Sequence, residues 1–159
     1  MKLSDDVVIP VPRQKVWEAL NDPDILRQCI PGCEEIVKTS DTEMEARVTV
    51  KMGPVKATFT GAVTLSDLDP PNGYRIAGEG KSMMGGATGG ANVKLTDVPE
   101  GTMLSYDVDA QVTGKIASLA QRFIEPTARQ LSGQFFETFA DVVSGKTPPE
   151  TGKTTKKKK

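Results

Sequence analysis

Three groupings of residues carry the types that could do chemistry. The first is "GEGKSMMGGATGGA", residues 78–91, whose Gly80-Lys81-Ser82 triplet looks like the end of a phosphate-binding loop. That loop needs a glycine at position 75, where the chain has Arg75, and the dinucleotide fingerprint needs one at 83, where it has Met83. The sequence that follows, "GGANVKLTDV", alternates apolar and polar like a strand, so no helix N-terminus is at hand to bind an anion. The second grouping is Cys29 and Cys33 in "RQCIPGCEE". Small, largely buried thiols beside a tight turn are the favoured reading over redox or metal chemistry. The third is an absence: the chain has no histidine, which removes Ser-His-Asp and Cys-His catalysis and most metal sites. No catalytic and no metal-ligating residue is assigned.

The elements that would position a site follow from periodicity. Residues 3–9 read as a strand. Val11-Pro12 opens a helix with Val16, Trp17 and Leu20 on one face, and Asp22-Pro23 starts a second with Ile25, Leu26 and Cys29 together. Six period-two runs follow, at 33–40, 43–52, 55–65, 74–83, 87–97 and 104–112, separated by turn residues such as Gly53-Pro54 and "DPPNG". Ile116, Leu119, Phe123, Ile124, Leu131, Phe135, Phe139 and Val142 then recur at three and four, which predicts one long amphipathic helix kinked at Pro126. The expected fold is α+β: a curved seven-stranded antiparallel sheet, two short helices after the first strand, and a long C-terminal helix across the concave face.

Charge divides the chain. Residues 146–159 hold six lysines and one glutamate, whereas residues 1–145 hold 14 basic and 20 acidic residues. This predicts a folded domain over 1–145 and a disordered lysine-rich tail over 146–159. An acidic body is a poor partner for nucleic acid. With no long apolar run and no signal-peptide pattern, a cytosolic protein is expected.

Strand parity gives the glycines a role. If Tyr74 and Ile76 face inward, so do Gly78 and Gly80, and the neighbouring run turns Ala87, Gly89 and Ala91 the same way. The missing side chains leave room for close approach of the helix, for a cavity, or for both. The hairpin tip, "SMMGGATGG", is expected to be mobile, with Met83 and Met84 at the cavity mouth. Phe59, Leu119 and Phe123 are expected to line the cavity, with Tyr74 or Tyr106 as its polar handle. Lys156, Lys157, Lys158 and Lys159 are expected to meet an anionic membrane surface.

The segments "IPVPRQKVWEALNDPDILRQCIPGCEE", "VKMGPVKATFTGAV", "GKSMMGGATGGANVKL", "GKIASLAQRF" and "FFETFADVV" resemble the G-subunit family of carbon monoxide dehydrogenase, within the START-like (SRPBCC), helix-grip superfamily. The resemblance spans roughly residues 1–145, and only Pro126 departs from the unbroken final helix it implies. It implies an accessory protein of a molybdenum hydroxylase of the carbon monoxide dehydrogenase type, one that helps attach the enzyme to the cytoplasmic membrane. An apolar cavity in such a protein suits an isoprenoid quinone or another lipid-like small molecule, carried rather than chemically bound. A START-like enzyme of cyclase or dehydratase type would need a general acid or base in the cavity. A purely structural adaptor would have a solid interior.

Overall fold

The period-two runs become strands, and the two proline-led segments become helices. The computed structural model describes residues 1–145, the side chains of residues 119–121 excepted. The tail expected over 146–159 lies outside the described residues. Strand β1 (Lys2–Ile9) is followed by α1 (Arg13–Leu20) and α2 (Pro23–Cys29). Then come β2 (Cys33–Lys38), β3 (Glu43–Met52), β4 (Val55–Asp69), β5 (Gly73–Ser82), β6 (Gly85–Val98) and β7 (Gly101–Val112). Pro12 stands just before α1, where its missing N–H leaves no helical bond unmade. Asp22 caps α2, its Oδ1 accepting from the Asp24 N–H at 2.9 Å, with Pro23 in the first turn.

The sheet order is β1-β7-β6-β5-β4-β3-β2, antiparallel throughout. The two short helices therefore carry the chain from one edge of the sheet to the other. The meander then returns strand by strand until β7 closes on β1. Thr102, fully buried, ties this closure together: its Oγ1 donates to the Val11 carbonyl at 2.7 Å.

Two elements need more than the periodicity reading. The runs expected at 74–83 and 87–97 are strands, and the glycine-rich tip between them is paired almost to its end. Ser82 pairs with Gly85, Lys81 with Gly86 and Gly80 with Ala87, so only Met83 and Met84 make the turn. Glycine has poor strand propensity, but neighbours on both sides supply the ladder that holds it extended.

The final helix is also not one uniform helix from 116. Residues Gly114–Leu119 form a 3-10 turn, Ala120–Ile124 a π turn, and α3 runs Glu125–Val143. Pro126 cannot donate to a carbonyl four residues back, so it sits in the first turn of α3 and the hydrogen-bond pattern changes ahead of it.

The core forms three clusters. The largest joins β1, α1, α2, β6, β7 and the C-terminal half of α3 around Ile9, Val16, Leu104 and Phe139. A second, around Leu26, Met44 and Leu65, fixes α2 to the sheet. A third, around Met52, Ala57, Ile116 and Ile124, seats residues 114–124 on the β3–β4 and β5–β6 hairpins. The helix-grip architecture expected from the order of elements is the one observed.

Candidate ligand-binding site

The interior is shaped by side chains the sheet lacks. Register places Ala46, Gly61, Gly80, Ala87 and Val112 in one row on the concave face, and Met44, Val63, Gly78, Gly89 and Ala110 in the next. The three atoms nearest to where a Cβ would stand on Gly78, Gly80 or Gly89 all belong to neighbouring strands. No helix comes that close, so the glycines do not serve tight helix packing. They leave a low floor between two packed ends of the sheet.

Beside this floor lies a cavity of about 470 Å³. Leu20, Leu26 and Ile30 wall it from the two short helices, Val63, Leu65, Ile76, Ala91, Val93 and Val108 from the sheet, and Leu131, Phe135 and Phe136 from α3. The size and apolar lining are those of small-molecule sites. Its polar groups are Tyr74, Tyr106 and Ser132, with no carboxylate, lysine or arginine in the lining.

The two tyrosines stand in one cross-strand row, Tyr74–Val93–Tyr106, two strand spacings or about 10 Å apart. Burial alone pushes the Tyr74 phenol up to about 12, so it stays protonated and can only be titrated in strong alkali. Its ring meets Trp17 edge-on, centroids 5.5 Å apart. Burial also raises Tyr106, and Asp5 at the sheet edge adds to the rise, while the Ser132 hydroxyl and Arg129 pull the other way. Tyr106 stacks on Phe136 at 5.2 Å. That pair, with Ser132, separates the cavity from a groove of about 420 Å³ between β1 and α3 that reaches Asp5, Arg129 and Glu137.

Of the residues singled out by sequence, Tyr74, Ala91 and Tyr106 line the cavity. Gly78, Gly80 and Gly89 form the floor beside it. Phe59, Met84 and Phe123 stand instead in the third core cluster, under residues 114–124. Their inward parity is right, but that segment covers them. Met83 is fully exposed at the hairpin tip rather than at the lining. The Leu119 side chain and Lys156 to Lys159 lie outside the described residues. Sequence reasoning missed Ser132, Phe136 and the Ile30–Pro31 bend as lining. Leu131 and Phe135 were legible as a helical stripe but not as facing a void.

Cys29 is buried and its thiol is raised to about 11 by desolvation, while Cys33 is partly exposed, and both are free thiols. Among the described residues no cluster of ligands could hold a metal, and no helix is long and apolar enough to cross a membrane.

Residues 6–144 match the family model described as the carbon monoxide dehydrogenase G-subunit (CoxG). No curated protein matches the chain. A conserved protein from Geobacillus kaustophilus is 25% identical, with a TM-score of 0.85, over 91% of this chain and 96% of that one. A protein from Thermus thermophilus is 13% identical, with a TM-score of 0.68, over 91% and 98%. The Zhui aromatase/cyclase from a Streptomyces species is 16% identical, with a TM-score of 0.64, over 91% and 93%. The latter two share the fold.

Proposed function

This chain belongs to the G-subunit (CoxG) family of carbon monoxide dehydrogenase, and from that premise we propose that it is a non-catalytic carrier for an apolar ligand with a carbonyl-bearing head, most simply an isoprenoid quinone. In this reading it serves a molybdenum hydroxylase of the carbon monoxide dehydrogenase type and links that enzyme to the inner face of the cytoplasmic membrane. One observation carries the reading: an apolar cavity whose polar groups are one serine hydroxyl and two phenols in one row. A phenol that stays protonated donates to a carbonyl and is a poor general base. Two phenols whose backbones stand in one sheet row, two strands apart, suit a ring with acceptors on opposite sides.

The volume sets a limit. At about 30 Å³ per water-sized group, 470 Å³ takes on the order of 16 heavy atoms. That is a substituted quinone ring with about one prenyl unit, so a longer tail would have to leave through the mouth. The lysines at 156–159 are proposed as a contact with anionic lipid.

A second reading, an enzyme, draws on the aromatase/cyclase likeness in fold and on the same tyrosines. It would require Tyr74 or Tyr106 to act as an acid without a partner base in the lining. Native mass spectrometry of the protein purified with its membrane fraction tests both. A prenylated quinone adduct that Tyr74→Phe weakens is the expected result. A converted small molecule would favour the enzyme, and no adduct even after titration with quinone in detergent would overturn the carrier.

A further inference from the structure

The charge of residues 1–145 is unevenly placed. Three segments meet at the hairpin-tip end of the sheet: residues 49–58, 80–88 and 110–124. Together they hold Lys51, Lys56, Lys81, Lys115 and Arg122 and no acidic residue, while the rest of residues 1–145 carries nine basic and twenty acidic residues. Lys51 and Lys56 are direct cross-strand partners, an arrangement that costs stability. Lys81 pairs with Gly86 beside the second tip. The helical segment is fastened to the same end, where the Ile116 N–H donates to the Met84 carbonyl at 2.7 Å. The Phe123 ring packs over Gly53, with the Arg122 guanidinium 5.7 Å from its centroid.

All five cations are exposed, and none is in an ion pair among the described residues. The acids bordering these segments are Glu34, Glu79, Asp109 and Glu125, the last paired with Arg129. Glu34 is already held by Arg47 and Thr49, and Glu79 lies two residues along the strand from Lys81. Met83 projects from the middle of this cationic end, fully exposed.

We infer that the hairpin-tip end, with Lys51, Lys56, Lys81, Lys115 and Arg122 around Met83, is a docking face for an anionic lipid bilayer. Exposed cations sharing one end of the sheet with a projecting thioether suit a surface with anionic headgroups outside and hydrocarbon beneath. The acidic remainder of the body is then turned away from the membrane, so the molecule is oriented by its own charge separation. The inference extends the membrane association in the proposed function, but it rests on the folded body and needs no ligand. A body that is acidic in sum can thus still present a cationic end to anionic lipid.

The test uses the full chain with vesicles of phosphatidylglycerol in phosphatidylcholine, against phosphatidylcholine alone. Each lysine near such a surface strengthens binding by about fivefold, so K51Q/K56Q/K81Q is expected to weaken partitioning by roughly a hundredfold. The control K15Q/K38Q/K94Q, equal in charge change but placed away from the tips, is expected to lose far less. Circular dichroism confirms that both stay folded. In a second measurement, Met83→Trp is expected to be quenched by brominated lipid, while the native Trp17 in the unsubstituted chain is not.

Equal losses in the two triple variants, or an unquenched tryptophan at 83, would overturn the inference. An unchanged affinity of K51Q/K56Q/K81Q for vesicles together with lost binding to an acidic protein surface would do the same. Quinone uptake from detergent, which involves no bilayer, separates the two ideas: the tip variants are expected to retain it whether or not docking is lost.

Discussion

Ala91→Phe asks whether the cavity is empty space in the native protein. Ala91 lies mid-sheet, between Ile76 and Val108, with its side chain in the cavity lining. The substitution adds six ring carbons, roughly 120–180 Å³ at about 20–30 Å³ each. That is about a third of the 470 Å³ available. In a filled core such an enlargement costs about 1–3 kcal/mol through forced rotamers and backbone shifts. In a void the ring is buried without displacing anything, and apolar burial favours the folded state by about 1.5–3 kcal/mol before local strain. The expected net effect is between no change and about 2 kcal/mol of stabilisation. Urea unfolding would read this as a higher midpoint at unchanged slope, and thermal unfolding as a rise of about 3 °C per kcal/mol. Ligand uptake is expected to fall at least tenfold, because the ring occupies the space of the head group. A variant destabilised by about 2 kcal/mol or more, or one that takes up ligand normally, would refute both the void and the reasoning that places the ligand there.

The floor glycines are not equivalent. A Cβ on Gly80 would meet Phe59 at 3.6 Å, an ordinary contact, so Gly80→Ala is expected to stabilise by about 0.5–1 kcal/mol. Gly61→Ala would drive its Cβ into the Glu79 carbonyl and is expected to destabilise by about 1–3 kcal/mol, both read by urea unfolding. For the same reason Gly80→Phe is expected to fold and to obstruct ligand. Gly89→Phe, with the Asp109 carbonyl at 3.0 Å and Ala110 Cβ at 3.2 Å, is expected to lose stability first. Alkaline pH probes Tyr74. Its phenol is raised from 10.0 to about 12 in the folded chain, so its contribution is whole below pH 10 and is lost as pH rises towards 12. The loss amounts to about 2–3 kcal/mol. Tyr74→Phe is expected to flatten that stretch of the stability profile relative to the native chain, with the decline from Cys29 common to both.

Periodicity alone was enough to give the order of strands and helices, because parity in a strand and phase in a helix are local properties. The inward set Tyr74, Ile76, Gly78 and Gly80 was readable from alternation, and so was the facing set Gly89, Ala91 and Val93. The family could be read too, from segments spread over roughly residues 1–145, and residues 6–144 match the family model. What local pattern could not give is which inward residues meet a void. Phe59 and Tyr74 have the same inward parity, yet Phe59 lies under residues 114–124 and Tyr74 opens on the cavity. That outcome depends on where the helical segment crosses the sheet. It crosses as a 3-10 and then a π turn before α3 because Pro126 withholds a donor and the two hairpin tips offer Met52, Ala57 and Met84 as a seat. Glycine has poor strand propensity, yet the alternation from 87 onward reads as a strand and is one, because the ladders on both sides satisfy its backbone. The cationic end is not legible in the sequence for the same reason. Lys51, Lys81 and Arg122 are far apart in the chain, and only the closure of the sheet and the seating of the final helix bring their charges together, a long-range arrangement that no local window contains.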